Sequence, residues 1–107
     1  MITDILYARD LVAASHRWLV ILVPDSQVVG GQRDLSAAAH GFAFGGRTIS
    51  MPNGGRLSLV AASSNIFVPT DTSFDIMLLG WGEGGAHDIK ELARWRAASR
   101  SLVPRGS

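Results

Sequence analysis

The longest apolar stretch of the chain is Trp18-Leu19-Val20-Ile21-Leu22-Val23, and Pro24-Asp25 ends it. A strand built from this run would present apolar side chains on both faces, so it belongs in the centre of a sheet that is covered on both sides. The run is also far shorter than the ~20 residues that a membrane-spanning helix requires. We therefore predict a soluble α/β (or α+β) domain built around residues 18–23.

The periodicity of apolar residues predicts the elements around this strand. Helical spacing indicates a first helix over residues 3–16. Alternation on either side of the turn Pro52-Asn53-Gly54-Gly55 indicates a β-hairpin, residues 47–51 and 56–61. The other predicted elements are a short helix that Asp34 caps, a strand over 74–79 and a helix over about 86–99. The short helix follows a loop with Gly30-Gly31 and runs to about Ala39 or His40, where Gly41 ends it. The expected architecture is a small single-layer sheet of about four strands, including the hairpin, with two or three helices.

The chain ends in a segment that we exclude from the predicted domain. Its last six residues, 102–107, spell LVPRGS, a thrombin-recognition sequence of the kind left by an expression tag. Residues 1–101 suffice for one domain. Arg105 is one of 10 Lys and Arg residues, against 9 Asp and Glu, so the chain without it is formally neutral. Neutrality argues against bulk attraction to nucleic acid or to anionic lipid.

Composition also bears on location and assembly. The chain has no cysteine, which excludes disulfides and thiol chemistry and fits a cytoplasmic protein. Its start, Met1-Ile2-Thr3-Asp4, lacks the basic region of a secretory signal. Apolar residues make up 47% of the chain and charged residues only 18%, so some apolar surface should remain outside the core. We expect a homo-oligomer or another protein partner, and no membrane contact.

A glycine-rich segment follows the strand 74–79. Gly80-Trp81-Gly82-Glu83-Gly84-Gly85 satisfies the spacing G-x-G-x-x-G, and strand, glycine loop and helix together suit phosphate binding. Gly80, Gly82, Gly84 and Gly85 are thus candidate cofactor-binding residues. The other interpretation is a tight strand-to-helix turn without a ligand. Glu83 would repel an anion, and no second strand with an acidic residue follows, so the turn is favoured and no cofactor is expected.

The order of elements from Trp18 to Trp95 resembles part of the ATPase core of phage large terminases and their helicase relatives. The segments that carry the resemblance are the strand 18–24, the Pro-Asn-Gly hairpin 47–57 and the strand 74–79. In the family this last strand ends in an acid pair that binds magnesium, but here Gly80-Trp81 stand at that place. No G-x-x-x-x-G-K-[ST] motif exists, and Lys90 is the only lysine. The resemblance implies a phage or mobile-element origin and a protein that does not hydrolyse nucleotides.

No other catalytic or metal-binding pattern stands out. His16, His40 and His87 are isolated and form no metal-ligand pair, so no metal is expected. Ser15 and His16 are neighbours on a helix and do not face each other. No G-x-S-x-G motif is present. We therefore predict a protein without enzymatic activity.

The aromatic and basic residues after the glycine loop suggest how such a protein would act. Trp81 lies in that loop, and Trp95 falls off the inward helical stripe between Arg94 and Arg96. An exposed tryptophan beside arginine is typical of binding hot spots, so Trp81, Arg94 and Trp95 are candidate partner-binding residues. The leading hypothesis is a small protein-interaction domain. The alternatives are a nucleotide- or phosphate-binding protein that uses the loop 80–85, and a nucleic-acid-binding accessory protein that uses Arg94, Arg96 and Arg100.

Overall fold

The computed structural model describes residues 2–15, 17–61, 63, 73–81, 95 and 97–103, and these form one mixed α/β layer structure. The prediction of a small sheet with a hairpin and two or three helices is confirmed, with more strands than expected. The elements, in chain order, are α1 (Ile2–Ser15), β1 (Trp18–Val23), a 3₁₀ turn (Asp25–Gln27), α2 (Val28–Ala38), β2 (Ala43–Gly45), β3 (Thr48–Ser50), β4 (Arg56–Ala61), β5 (Asp75–Leu78) and β6 (Ser101–Leu102).

The six strands form one sheet in the order β2-β3-β4-β1-β5-β6. β1 pairs in parallel with β4 on one side and with β5 on the other. β6 adds in parallel to β5, while β2, β3 and β4 run antiparallel to their neighbours in the hairpin half. The apolar run 18–23 is therefore the third strand from one edge of the sheet, with partners on both sides.

Both faces of β1 are covered, as its continuous apolar sequence predicts. Leu19, Ile21 and Val23 pack with residues of α1 and α2 in one core cluster. Val20 and Leu22 point to the opposite face, in a second cluster that contains Phe74, Ile76 and Trp95. Residues 19–23 are all fully buried, because each face of the strand meets its own apolar layer.

The predicted hairpin is confirmed, and its turn is anchored to α1. β3 and β4 pair antiparallel on either side of residues 51–55, and Gly54 has φ +90°, which glycine adopts without strain. The Asn53 side chain accepts a hydrogen bond from the Gly55 N–H (2.8 Å) and donates one to the Ala13 carbonyl (2.6 Å). A Cβ on Gly55 would lie 2.7 Å from Val12 Cγ1, so only glycine fits the turn against the helix.

One predicted element differs from the structure in extent. The helix expected to begin at Asp34 begins at Val28, so Gly30 and Gly31 are helical rather than part of a loop. Gly31, Leu35 and Ala38 are buried at helical spacing, and packing of this stripe on the sheet outweighs the low helix propensity of glycine. The end of the helix is as predicted, with Gly41 at φ +86° just beyond it.

Two strands were not predicted. β2, the exposed outer strand of the hairpin half, contains glycine and has no alternation of buried residues to reveal it. β6 contains Leu102, and the following Val103 is buried in the first core cluster with its N–H bonded to the Ile76 carbonyl (2.8 Å). Residues assigned from sequence to the thrombin-recognition segment thus pair with the sheet. Their origin in an expression tag stays a prediction.

A substitution at the centre of β1 tests the doubly covered core. Ile21→Ala should lower the free energy of unfolding by ~2–5 kcal/mol, because it leaves a cavity at a fully buried position that pairs with strands on both sides. Val29→Ala, at an 82% exposed site on α2, is the matched control and should change it by less than ~0.5 kcal/mol. Chemical denaturation measures both, and equal effects would contradict this description of the core.

Candidate functional site

Charged residues collect where the parallel strands begin. Arg17 directly precedes β1, Arg56 is the first residue of β4, Asp75 is the first residue of β5, and Arg100 directly precedes β6. Strands that run in parallel begin at one edge of a sheet, so the backbone topology alone gathers these side chains. The Arg56 N–H also donates to the Arg17 carbonyl (3.0 Å), which joins the starts of β1 and β4. We call Arg17, Arg56, Asp75 and Arg100 the charged edge.

Asp75 is the buried centre of the charged edge. Asp75 has no exposed surface, and it lies in the otherwise apolar sequence 74–79. Arg100 Nε donates to Asp75 Oδ1 (3.1 Å) and Arg100 Nη2 donates to Oδ2 (2.8 Å), which is a two-pronged contact. The hydrogen bond and the charge of Asp75 raise the pKa of Arg100 above its usual value. A carboxylate buried in this way requires such partners, since isolation from water is costly for a charge.

Arg17 approaches the same carboxylate without completing a hydrogen bond. Its Nε lies 3.6 Å from Asp75 Oδ2, close enough for an ion pair. The Nε atom is buried and has no hydrogen-bond partner. Leaving a buried donor unsatisfied costs ~1–3 kcal/mol, more when the group is charged. Buried polar groups in proteins are almost always paired, so this donor marks a place where an acceptor is missing.

A cleft opens beside these groups. It has a volume of about 310 Å³ and is lined by Ser15, Arg17, Trp18, Ser73, Asp75 and Arg100. The lining combines two guanidinium groups, one carboxylate and two serine residues. Ser15 lies at the last turn of α1, where its Oγ donates to the Leu11 carbonyl (2.7 Å). The charge and polarity of the lining suit an anionic group.

Trp18 forms the wall between the cleft and the hairpin. The Arg56 guanidinium carbon lies 4.2 Å from the centre of the Trp18 ring, a cation–π contact, and the Phe74 ring centre lies 5.5 Å away. Trp18 Nε1 donates to Ser58 Oγ (3.1 Å), and this oxygen is 3.0 Å from Thr48 Oγ1. These contacts orient the ring and hold Arg56 over it.

The described start of the predicted glycine loop, Gly80-Trp81, lies at the opposite, carboxyl edge of the sheet. Of its candidates, Gly80 and Trp81 are described, while Gly82, Gly84, Gly85 and Arg94 lie outside the described residues. Gly80 has φ +80°, as a tight turn after a strand requires. Trp81 is half-buried, and its Nε1 donates to the Leu22 carbonyl (3.0 Å), which also accepts the Leu79 N–H (3.1 Å). Trp81 therefore covers the end of β1.

The expectation of an exposed Trp95 is wrong. Trp95 is only 3% exposed, and its ring packs edge-on against Phe74 with ring centres 6.1 Å apart. The helical periodicity of the sequence placed Trp95 outside the apolar stripe that faces the core. The second face of the sheet, however, also needs a large apolar side chain to cover β1 and β5. In this structure Trp95 belongs to the core, and its ring is not available as a surface anchor.

One further polar contact lies at the carboxyl edge. Ser63 Oγ donates to Asp25, at 2.7 Å from Oδ1 and 2.8 Å from Oδ2, which joins the ends of β4 and β1. This contact was not predicted from sequence. Within the part of the chain that the structure describes, no group of three or more His, Cys, Asp or Glu side chains could hold a metal ion. Histidine is represented there by His40 alone, exposed beyond the end of α2.

Sequence reasoning missed the charged edge, although a signal was present. Arg100 was considered only with Arg94 and Arg96 as a nucleic-acid-binding candidate, and Arg17, Arg56 and Asp75 were not considered as site residues. A charged residue at the start of a strand is ordinarily solvated, so each looked unremarkable alone. The informative residue was Asp75, because a carboxylate within an apolar strand needs a buried partner.

Comparison with protein families, curated proteins and solved structures produced no match to this chain. Among the described residues no helix combines the length and apolar character needed to cross a bilayer. The charged edge and its cleft therefore carry the functional argument on their own geometry.

Asp75→Asn tests the ionic centre of the site. It keeps the shape of the side chain but removes the charge that pairs with two guanidinium groups, so the free energy of unfolding should fall by ~1–3 kcal/mol. The control Asp10→Asn removes a carboxylate that is 70% exposed and pairs with Arg9. This variant should change the free energy of unfolding by less than ~0.5 kcal/mol. Thermal or urea unfolding compares them. An Asp75→Asn protein as stable as the parent would show that the ion pairs contribute nothing.

Proposed function

We propose that this chain is a protein-interaction domain without enzymatic activity, which binds an acidic segment of a partner protein at the charged edge. The observation that carries the proposal is the pairing of Arg17 and Arg100 with one buried carboxylate beside an open polar cleft, with Arg56 next to them over the Trp18 ring. Asp75 neutralises one of the three positive charges, so the charged edge bears an excess of positive charge.

The type of cation supports protein contact. Guanidinium groups are weakly hydrated, planar and able to bind carboxylates with two parallel hydrogen bonds, which is why arginine is enriched at interfaces. The side chain of Arg100 is 57% exposed and that of Arg17 is 29% exposed, so both are accessible in part. Trp18 and Arg56 beside them add a stacked aromatic and cationic surface. An interface core of this composition suits a hot spot.

Overall charge favours a protein over a nucleic acid. The formal net charge of the chain is +1, whereas binding along a phosphate backbone depends on several extended cationic contacts. An acidic peptide segment needs only a local excess of positive charge, which the charged edge supplies. The nucleic-acid alternative shares Arg100 with this surface, and its other residues, Arg94 and Arg96, lie outside the described part of the chain.

Other predictions from sequence remain proposals. Trp81 does not favour phosphate binding at the glycine loop, because its indole N–H already donates a hydrogen bond to the Leu22 carbonyl at the end of β1. A phage or mobile-element origin rests on the terminase-like order of elements and stays a prediction. Self-association and a cytoplasmic location stay predictions from composition.

Binding of an octaglutamate peptide tests the proposed surface. The wild-type protein should bind it, and rising salt should weaken the complex, because exposed ion pairs are screened. The double variant Arg17→Gln/Arg56→Gln should bind about tenfold or more weakly, since a hydrogen bond to a charged group contributes ~1.5–3 kcal/mol. Isothermal titration calorimetry at low and at high salt measures both effects.

The matched control is Arg33→Gln/Arg47→Gln, which removes the same net charge from two exposed positions away from the cleft. It should leave octaglutamate binding nearly unchanged. Equal loss in the two double variants would show attraction to overall charge and would overturn the proposed surface. Tighter binding of oligothymidylate than of octaglutamate, lost only in Arg17→Gln/Arg56→Gln, would favour the nucleic-acid alternative instead.

The absence of enzymatic activity has its own test. With magnesium present, the purified protein should show no turnover of ATP or GTP above buffer, because the sequence has no P-loop motif and no acid pair after the strand 74–79. Phosphate release measures this. Turnover that disappears in Asp25→Asn, the variant of the acidic residue next to the end of β1, would contradict the prediction and exclude a contaminant as its source.

A further inference from the structure

We propose that the cleft beside the charged edge is an oxyanion site that takes one carboxylate group, with the Arg17 guanidinium as its principal ligand. This inference rests on the proposed function and names the group of the acidic partner that it would anchor. Surface arginines around the cleft would attract any acidic segment, whereas the site within the cleft selects a single oxyanion and its position.

Arg17 has a donor without a hydrogen-bond acceptor. Arg17 Nε is buried, lacks a hydrogen-bond partner and lies 3.6 Å from the nearest Asp75 oxygen. Asp75 cannot serve both arginines equally, because Arg100 already contacts both of its oxygens at 3.1 and 2.8 Å. Because the Nε atom itself is buried, a carboxylate in the cleft would bind the exposed part of the Arg17 guanidinium, whose side chain is 29% exposed and lines the cleft.

The charges that line the cleft favour an anion. The cleft contains two guanidinium groups and one carboxylate, so one further negative charge brings the side chains that line it to neutrality. A neutral ligand would leave the excess positive charge uncompensated, and a cation would be repelled.

The size of the cleft and the residues that line it also suit a carboxylate. A water molecule takes ~30 Å³ of liquid volume, so a cleft of about 310 Å³ holds a carboxylate together with several waters. Ser73 is exposed at the rim and brings a hydroxyl group to the entrance. Trp18 closes the inner side with an aromatic wall that Arg56 and Phe74 hold in place. The arrangement suits the end of an acidic side chain that enters from the surface.

The test uses the wild-type protein and sodium acetate as the probe. Arginine side-chain ¹H–¹⁵N spectra report each Nε–H directly, and the Arg17 resonance is assigned through its own backbone. Acetate should move the Arg17 Nε resonance in a saturable way while that of exposed Arg33 stays in place, against sodium chloride at equal ionic strength. If acetate moves the Arg17 resonance no more than chloride does, the cleft holds no carboxylate against Arg17 and the inference is overturned. Saturation by inorganic phosphate but not by acetate would also overturn the carboxylate assignment.

Arg17→Lys is the matched variant, since it keeps the charge but loses the planar fork and the Nε donor. We expect acetate binding to weaken about tenfold while the melting temperature stays close to that of the parent. Unchanged acetate affinity in this variant would overturn the role of Arg17. Octaglutamate that binds without moving the Arg17 resonance would overturn the oxyanion site and leave the proposed function standing. Acetate that saturates Arg17 in a protein that ignores octaglutamate would support the site and remove the proposed function.

Discussion

The structure depends on the parallel pairing of β1 with β4 on one side and β5 on the other. This arrangement requires a strand that is apolar on both faces, and residues 18–23 provide it. It also requires that the strands start together, which brings residues distant in sequence to one edge. The helices, the hairpin and the second core cluster are all arranged around this strand, and the charged edge is a by-product of its direction.

Asp75 shows how that arrangement constrains chemistry. At the first position of β5 it pairs with Leu19 of β1 and Ser101 of β6, so its side chain has little route to water. A buried ion pair of this kind is weak evidence for stability, because desolvation offsets much of the attraction. Its better-supported consequence is geometric: one carboxylate fixes Arg100 firmly and Arg17 incompletely. The unequal sharing between two arginines distinguishes this site from an ordinary surface salt bridge.

Sequence reasoning succeeded where local pattern and tertiary packing agree. Residues 18–23, the hairpin around Asn53 and the helix over 3–16 were predicted because apolar periodicity and turn chemistry point the same way. It failed where packing outweighs propensity, as at Gly30-Gly31 in α2, and where burial depends on a layer that the pattern does not reveal, as at Trp95. The charged edge could not be predicted, since it follows from strand direction and order. Only Asp75 within an apolar strand hinted at it.

The long sequence separation between β1 and its partners has a consequence for the way the chain reaches this structure. β1 finds its first parallel partner at residue 56 and its second at residue 75, so its pairing depends on distant closures that slow folding. Until both partners have been synthesised, a fully apolar six-residue strand has unpaired edges and is prone to aggregate. During translation α1 and then α2 can form beside it, and these helices can cover one face of the strand until β4 and β5 emerge.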